Sequence, residues 1–244
     1  MNISFEGKRI LVTGAGQGIG KDLALHLSRA KATVIALSKT KENLDALTKL
    51  DPTIQTVCVN LRDWNMTQKA VESVLPIDLL VNNAGVACLK PFVNATLEDC
   101  DLTFDVNVKS IVSVSQVVVK DMIRRKVSGS IVNVSSQASH CALKDHAIYC
   151  ASKGAVDMLT KTMALELGPH NIRVNTVNPT VVMTEMGKLG WSDANKAKEM
   201  LSKIPLGRFA EIKEVNDAIV FLLSDYSSMT TGAAFPVEGG FLAA

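Results

Sequence analysis

The stretch LVTGAGQGIG, Leu11 to Gly20, joins an apolar run to a helix-length segment through three glycines spaced Gly14-x-x-x-Gly18-x-Gly20. The run leading into it, RILVTG, is a short β-type sequence, and IGKDLALHLSRA behind it has the length of a helix. A strand that enters a helix through such a loop gathers exposed backbone N–H groups and the positive end of the helix dipole at one point. A phosphate is stabilised there. Glycine lets the backbone approach that phosphate closely. Glycines alone say little, because turns use them anyway. The strand–loop–helix context is what points to nucleotide binding.

Outward from this loop the alternation recurs. ATVIALS, TVCVN, DLLVNNAG, SGSIVNVSS, IRVNTVNP and AAFPVEGG share the character of RILVTG, so about seven strands are expected. Helix-length segments separate them. TKENLDALTKL is one; residues 97 to about 125 read as helix with an unsettled middle; a helix from about 147 to 167 is stopped by Gly168 and Pro169. Continuous apolar runs fit strands buried on both faces. The expected class is α/β, a doubly wound Rossmann fold with helices on both faces of a parallel sheet. No linker, repeat or low-complexity tract divides the chain, so residues 1–244 are read as one dinucleotide-binding and catalytic domain. The segment 180–204, with Gly187, Gly190 and Trp191, is the least strand-like late region and reads as a mobile insertion.

Composition narrows the function. A chain 47% hydrophobic and 20% charged has the material for a sizeable core. A net charge of +2 without a long basic run gives no reason to expect nucleic acid as a partner. Cys58, Cys88, Cys100, Cys141 and Cys150 are odd in number, widely spaced and without a C-x-x-C pair. Neither a metal site nor a disulfide framework is expected, and reduced thiols fit an intracellular protein. MNISFEGKRI carries charge where a signal peptide has an apolar centre. No apolar run reads as a transmembrane segment. The expectation is an intracellular, cytoplasmic protein.

HAIYCASKGA raises a separate question. It holds one of the chain's two tyrosines, Tyr149, four residues before Lys153. Residues so spaced on a helix share a face. A phenol titrates near 10, too high for easy proton exchange at neutral pH, and an adjacent ammonium lowers it. Proton transfer is most efficient when the acid titrates near the working pH. Taken alone, the pair also fits an exposed Tyr and Lys on a surface helix.

The glycine spacing, NNAG (Asn82 to Gly85), Asn107, Ser136 placed 13 residues before Tyr149, and Tyr149-x-x-x-Lys153 occur in one order. In that order the chain resembles the short-chain dehydrogenase/reductase family, from the glycine loop to VEGG. Within it the chain resembles the L-xylulose (dicarbonyl) reductases, through VCVNLRDW, IVNVSSQ, MALELGPHNIRVN, NPTVVMT, IPLGRFAE and FLLSDYSSMTTG. The resemblance implies carbonyl reduction by hydride transfer, with Tyr149 as proton donor and Ser136 hydrogen-bonding the developing alkoxide. Lys153 would tune Tyr149 and hold ribose hydroxyls; Asn107 would support a water relay. It also implies a homotetramer, and L-xylulose, other small sugars and α-dicarbonyls as substrates. Two alternatives stay open: a 3-oxoacyl or hydroxysteroid reductase, and a non-catalytic NADP-binding regulatory protein. The intact set Asn107, Ser136, Tyr149 and Lys153 argues against the latter.

The second strand ends in VIALSKT. A carboxylate at this end would bind a ribose 2′-hydroxyl and repel a 2′-phosphate. Ser38, Lys39 and Thr40 suit the phosphate, so NADPH/NADP is the expected cofactor. Alternatively, Lys39 is merely solvated at a helix start. By resemblance the remaining cofactor contacts are Gly14, Gln17, Gly18, Ile19, Gly20, Asn60, Leu61, Asn83, Ala84, Gly85, Tyr149, Lys153, Val182 and Thr184. Two of these depart from the family pattern. Gln17 stands where many NADP-using members carry a basic residue, and Asn60 where an aspartate is common. The implied substrate pocket is Ser136, Gln137, Leu143, His146, Tyr149, Met186 and Trp191, with Trp191 closing over the substrate on a lid at 180–204. His146 also fits a residue that stabilises its helix start, and Trp191 plain packing. The apolar tail GGFLAA, uncharged after Glu238, fits burial in its own subunit or, as expected here, against a neighbour's lid.

Overall fold

Along each strand the apolar side chains take turns between two faces. In β1 (Arg9–Thr13), Ile10 and Val12 join the core on one side of the sheet and Leu11 the core on the other. β2 (Thr33–Ser38), β3 (Gln55–Cys58), β4 (Leu79–Asn82), β5 (Gly129–Val134), β6 (Ile172–Pro179) and β7 (Ala234–Val237) complete one parallel sheet in the order β3-β2-β1-β4-β5-β6-β7. All seven expected strands are present, and the Rossmann-like class stands. The computed structural model describes residues 3–184, 187–188 and 191–243, without the Lys196 side chain.

Helices cover both faces. α1 (Gly18–Arg29), α2 (Lys41–Leu50) and a late helix, Ile212–Leu223, bury Leu23, Leu27, Leu44, Val215 and Ile219 on one side. α3 (Trp64–Glu72), α4 (Leu97–Phe104), α5 (Ser110–Arg125) and α6 (Ala147–Leu167) follow in the chain, and Val71, Val114, Val118 and Ala164 form the other core. α7 (Ala194–Leu201) precedes the late helix, which is α8. The unsettled middle of 97–125 is a π turn, Asp105–Lys109, between α4 and α5. The whole run Leu97–Arg125 is long and apolar enough to cross a membrane by length and composition, contrary to the sequence reading. In the fold, 56% of its apolar window is buried, with Val114, Val118 and Met122 in the sheet core, so its apolarity is that of a core helix.

Strand order reverses between β1 and β4. The crevice at a parallel sheet's carboxyl edge, at such a point, is where ligands are held. Buried amides fix the strands and helices there. Asn82 Nδ2 donates to Asn133 Oδ1 (2.8 Å) and Ser115 Oγ (3.1 Å), and Asn133 Nδ2 donates to Thr160 Oγ1 (2.8 Å), linking β4, β5, α5 and α6.

Candidate active site

The glycine loop leaves β1 and enters α1 at this crevice. Gly14 and Gly18 have φ of +65° and +54°, conformations that side-chain-bearing residues rarely adopt. A Cβ on Gly20 would collide with Asn83 Nδ2 and lie 2.5 Å from Gly14 O, and one on Gly14 would lie 2.7 Å from Ala84 Cα. Asn83 itself clamps the turn, donating through Nδ2 to the carbonyls of Thr13 (3.0 Å) and Gly14 (3.2 Å). Thr13 Oγ1 accepts from the backbone N–H groups of Asn83 and Ala84. The loop and NNAG are thus one construction. Gln17 caps α1 with backbone alone and offers no side-chain hydrogen bond, so the first N–H groups of the helix lack a capping acceptor from it.

Ser38 Oγ would stand 2.6 Å from a Cβ on Gly16, so the end of β2 closes on the loop. Lys39 beside it is exposed and holds no ion pair among the described residues. Thr40 caps α2 without a side-chain bond. Asn60 is exposed and its Oδ1 accepts from Arg62 N (3.2 Å), while Leu61 is buried. Both line the region between β3 and α3. Thr184 comes within 3.3 Å of a Cβ built on Gly18, and Val182 bridges to Ala210.

The proton-transfer candidates converge from three elements. Asn107, on the π turn, is fully buried; its Oδ1 accepts from Val86 N (2.8 Å) and its Nδ2 donates to Val86 O (2.9 Å) and Ser152 Oγ (3.0 Å). Ser136 follows β5; its hydroxyl accepts from Ala138 N (3.2 Å) and donates to Pro179 O (3.4 Å), and it favours ionisation of the Tyr149 phenol. Tyr149 and Lys153 share one face of α6, with Lys153 Nζ 5.6 Å from the Tyr149 ring centroid. Lys153 is buried and donates to Val134 O at 2.8 Å. Burial pushes its ammonium down to about 8, opposed by the Asp157 carboxylate.

The expected lowering of Tyr149 by Lys153 does not occur in the polypeptide itself. Burial pushes the phenol above its ordinary value, and the Ser136 hydroxyl only partly offsets this. The reason is geometric: the lysine aims at a strand carbonyl rather than at the phenol, and its own charge is weakened by burial.

Around this pair the pocket residues separate. Gln137 is buried, and its Oε1 has no hydrogen-bond partner among the described residues. His146 stacks edge-on to Tyr149 with centroids 6.3 Å apart, and its Nδ1 donates to Lys144 O. It makes no side-chain cap on α6, so stabilising the helix start in that way is not its role. Leu143 is half-buried and its carbonyl accepts from His146 N. Trp191 packs on Phe209, with ring centroids 5.5 Å apart. Met186 lies outside the described residues. No cluster of metal-binding side chains occurs among the described residues.

A family model described as enoyl-(acyl carrier protein) reductase matches residues 14–242. L-xylulose reductase of Mus musculus is 58% identical over 243 residues, all of both chains. The chain belongs to the short-chain dehydrogenase/reductase family. It is an oxidoreductase of that family, whose members use a nicotinamide cofactor. Carbonyl reductase (NADPH) 2 of Sus scrofa is 50% identical over 245 residues, again all of both chains. The crystal structure of a gluconate 5-dehydrogenase from Burkholderia cenocepacia, in complex with NADP and tartrate, is 30% identical and superposes with a TM-score of 0.94, over 99% of this chain and 97% of that one.

Some residues that build this short-chain dehydrogenase/reductase site escape the sequence reading. Thr13, Gly16 and Ser152 act through hydrogen bonds and close approaches that no spacing announces. A hydroxyl ending an otherwise apolar strand was the available signal for Thr13.

Proposed function

We propose that this chain is an NADPH-dependent carbonyl reductase acting on L-xylulose, other small sugars and α-dicarbonyls. The observation that carries the reading is that buried Lys153 shares a face of α6 with Tyr149 and lies beside Gly85, in the turn whose Asn83 and Ala84 pack on the glycine loop. The cradle fits a dinucleotide: Gly14 and Gly20 let the loop close tightly on Ala84 and Asn83, Gly18 takes a positive φ at the helix entry, and the start of α1 lacks a side-chain cap. Gly14, Gln17, Gly18, Ile19 and Gly20 would hold the pyrophosphate. Ser38, Lys39 and Thr40 would hold a 2′-phosphate, and Asn60 and Leu61 the adenine side. Asn83, Ala84, Gly85, Val182 and Thr184 would hold the nicotinamide half. The bound nicotinamide supplies the hydride.

The protein's own part is the proton. Burial keeps the Tyr149 phenol protonated at neutral pH, which suits a donor to the carbonyl oxygen. The Ser136 hydroxyl stabilises charge as it develops on that oxygen. Lys153 balances the phenolate left behind and reaches the ribose. Asn107, locked on Val86, supports the water relay that reprotonates Tyr149. Gln137 holds a buried acceptor without a partner among the described residues, which suits a substrate hydroxyl, because such atoms are rarely left unsatisfied. His146, Leu143 and Trp191 complete the pocket, with 180–204 as its lid on a one-domain chain. A cytoplasmic homotetramer is part of the same reading.

NADPH oxidation should be followed with L-xylulose, diacetyl, acetoacetyl thioesters and steroids. The proposal expects the first two to be turned over far faster. Preference for thioesters or steroids would replace it with the corresponding reductase.

A further inference from the structure

α6 carries a third polar residue in line with Tyr149 and Lys153. Asp157 lies one turn past Lys153, and its carboxylate is buried. Burying a carboxylate is costly unless it is hydrogen-bonded and paired. Both its oxygens accept from Asn178 Nδ2, at 3.2 and 3.0 Å, and His140 Nε2 stands 3.3 Å from Oδ2. Asn178, near the end of β6, also reaches Ser136 O (3.3 Å) and Ser139 Oγ (3.0 Å), while its Oδ1 accepts from Thr176 Oγ1 (2.7 Å). One side chain therefore ties α6 to β6 and to the turn bearing Ser136.

A neutral amide could tie the same elements. The carboxylate adds a negative charge one helical turn from a buried lysine, and its field works against the burial that weakens the ammonium. Charges on the other elements packed against α6 are paired elsewhere or face solvent. Asp105 on the π turn pairs with Lys109 and Arg62, and Asp99 on α4 pairs with Lys90. Glu98 and Asp101 on α4 are exposed, as is His170 beyond the far end of α6. Arg173 on β6 donates to the carbonyls of Leu222 and Ser224. On α6 itself Tyr149 and Cys150 stand on the other side of Lys153 in the chain.

We propose that Asp157 is a positioning residue: its carboxylate, through Asn178, fixes the Ser136 turn against the helix carrying Tyr149 and Lys153, and it sets a negative charge one helical turn from the buried Lys153 amine. The role rests on the reductase reading above, and the test separates the two. Wild type, Asp157→Asn, Asp157→Glu and Asn178→Ser are compared as full-length proteins. Competitive acetylation of Lys153 with acetic anhydride across the alkaline range, read by mass spectrometry, follows the amine without turnover. In parallel, kcat and KM for NADPH-dependent diacetyl reduction are measured against pH.

Asp157→Asn is expected to lower the Lys153 midpoint by about one pH unit and kcat near pH 8 by about fivefold, with the alkaline limb moving equally and KM little changed. Asp157→Glu should restore the midpoint. Asn178→Ser, which cuts the tie to Ser136 but leaves the charge, should lower kcat at an unmoved midpoint. A wild-type midpoint and alkaline limb in Asp157→Asn would overturn the proposal. So would an equal loss at every pH in the Asn and Glu variants that merely tracks lost thermal stability. If wild type reduces no carbonyl but the midpoint still moves in Asp157→Asn, the reductase reading falls and the positioning role stands.

Discussion

Two side chains four residues apart set the residue-scale chemistry. Lys153 is pushed down from 10.5 to about 8, so it is charged below that pH and neutral above it. Reduction that needs the ammonium beside Tyr149 should therefore be flat up to about pH 8 and fall as pH rises further. An initial-rate profile with NADPH near saturation checks this, and a rate that climbs through that pH would contradict the role given to Lys153. Gln137 poses a different question at the same scale. Its Oε1 is buried without a partner among the described residues, so a sugar hydroxyl would satisfy it. Gln137→Leu should raise KM for L-xylulose by about tenfold, the cost of roughly one hydrogen bond, and leave diacetyl nearly untouched. Equal effects on the two substrates would remove Gln137 from the sugar contacts.

At the scale of elements, the glycine loop and the end of β2 carry the cofactor argument. The close approach of Gly20 to Gly14 O is to backbone, which cannot step aside cheaply. Gly20→Ala should cost about 1–3 kcal/mol of stability and weaken NADPH binding together, read by thermal melts and fluorescence titration. Normal values of both would mean that the loop tolerates a side chain. Ser38→Asp with Lys39→Ile replaces attraction for a 2′-phosphate with repulsion. It should shift the NADPH/NADH preference by about 10- to 100-fold, since a charge-assisted contact is worth roughly 1.5–3 kcal/mol. An unmoved ratio would cancel the assignment of Lys39. The strands and the glycine loop were legible because apolar runs and glycine spacing are local signals. The ends of helix 97–125 were legible and its middle was not, because the π turn follows from Asn107 bonding to Val86, a contact 21 residues back in the chain. Tyr149 and Lys153 could be placed on one face by spacing alone. The direction of the Tyr149 shift could not, because it depends on depth and on where the lysine points. Asp157 stayed hidden for the same reason: its partners, Asn178 and His140, come from other elements.

For the whole molecule, the tail bears on assembly. Gly239 and Gly240, both with positive φ, pack on Ile204 and Pro205 of the same chain, and Leu206 N donates to Gly239 O at 3.1 Å. That places the tail's start on the end of its own 180–204 segment, while Leu242 remains exposed. In the homotetramer proposed above, the exposed part would meet a neighbour. Deleting Phe241 to Ala244 should then weaken assembly and raise KM, as light scattering and steady-state kinetics would show; an unaltered tetramer with normal kinetics would sink the idea. The central claim, that this family member reduces small carbonyls with Tyr149 as the acid, meets its most direct test in one comparison. Wild type and Tyr149→Phe are assayed for NADPH consumed and alcohol formed from L-xylulose, with NADPH affinity measured alongside. The predicted result is stoichiometric reduction by wild type and a loss of kcat of at least about 100-fold in Tyr149→Phe, with NADPH affinity largely kept. Near-normal turnover by Tyr149→Phe would contradict the account.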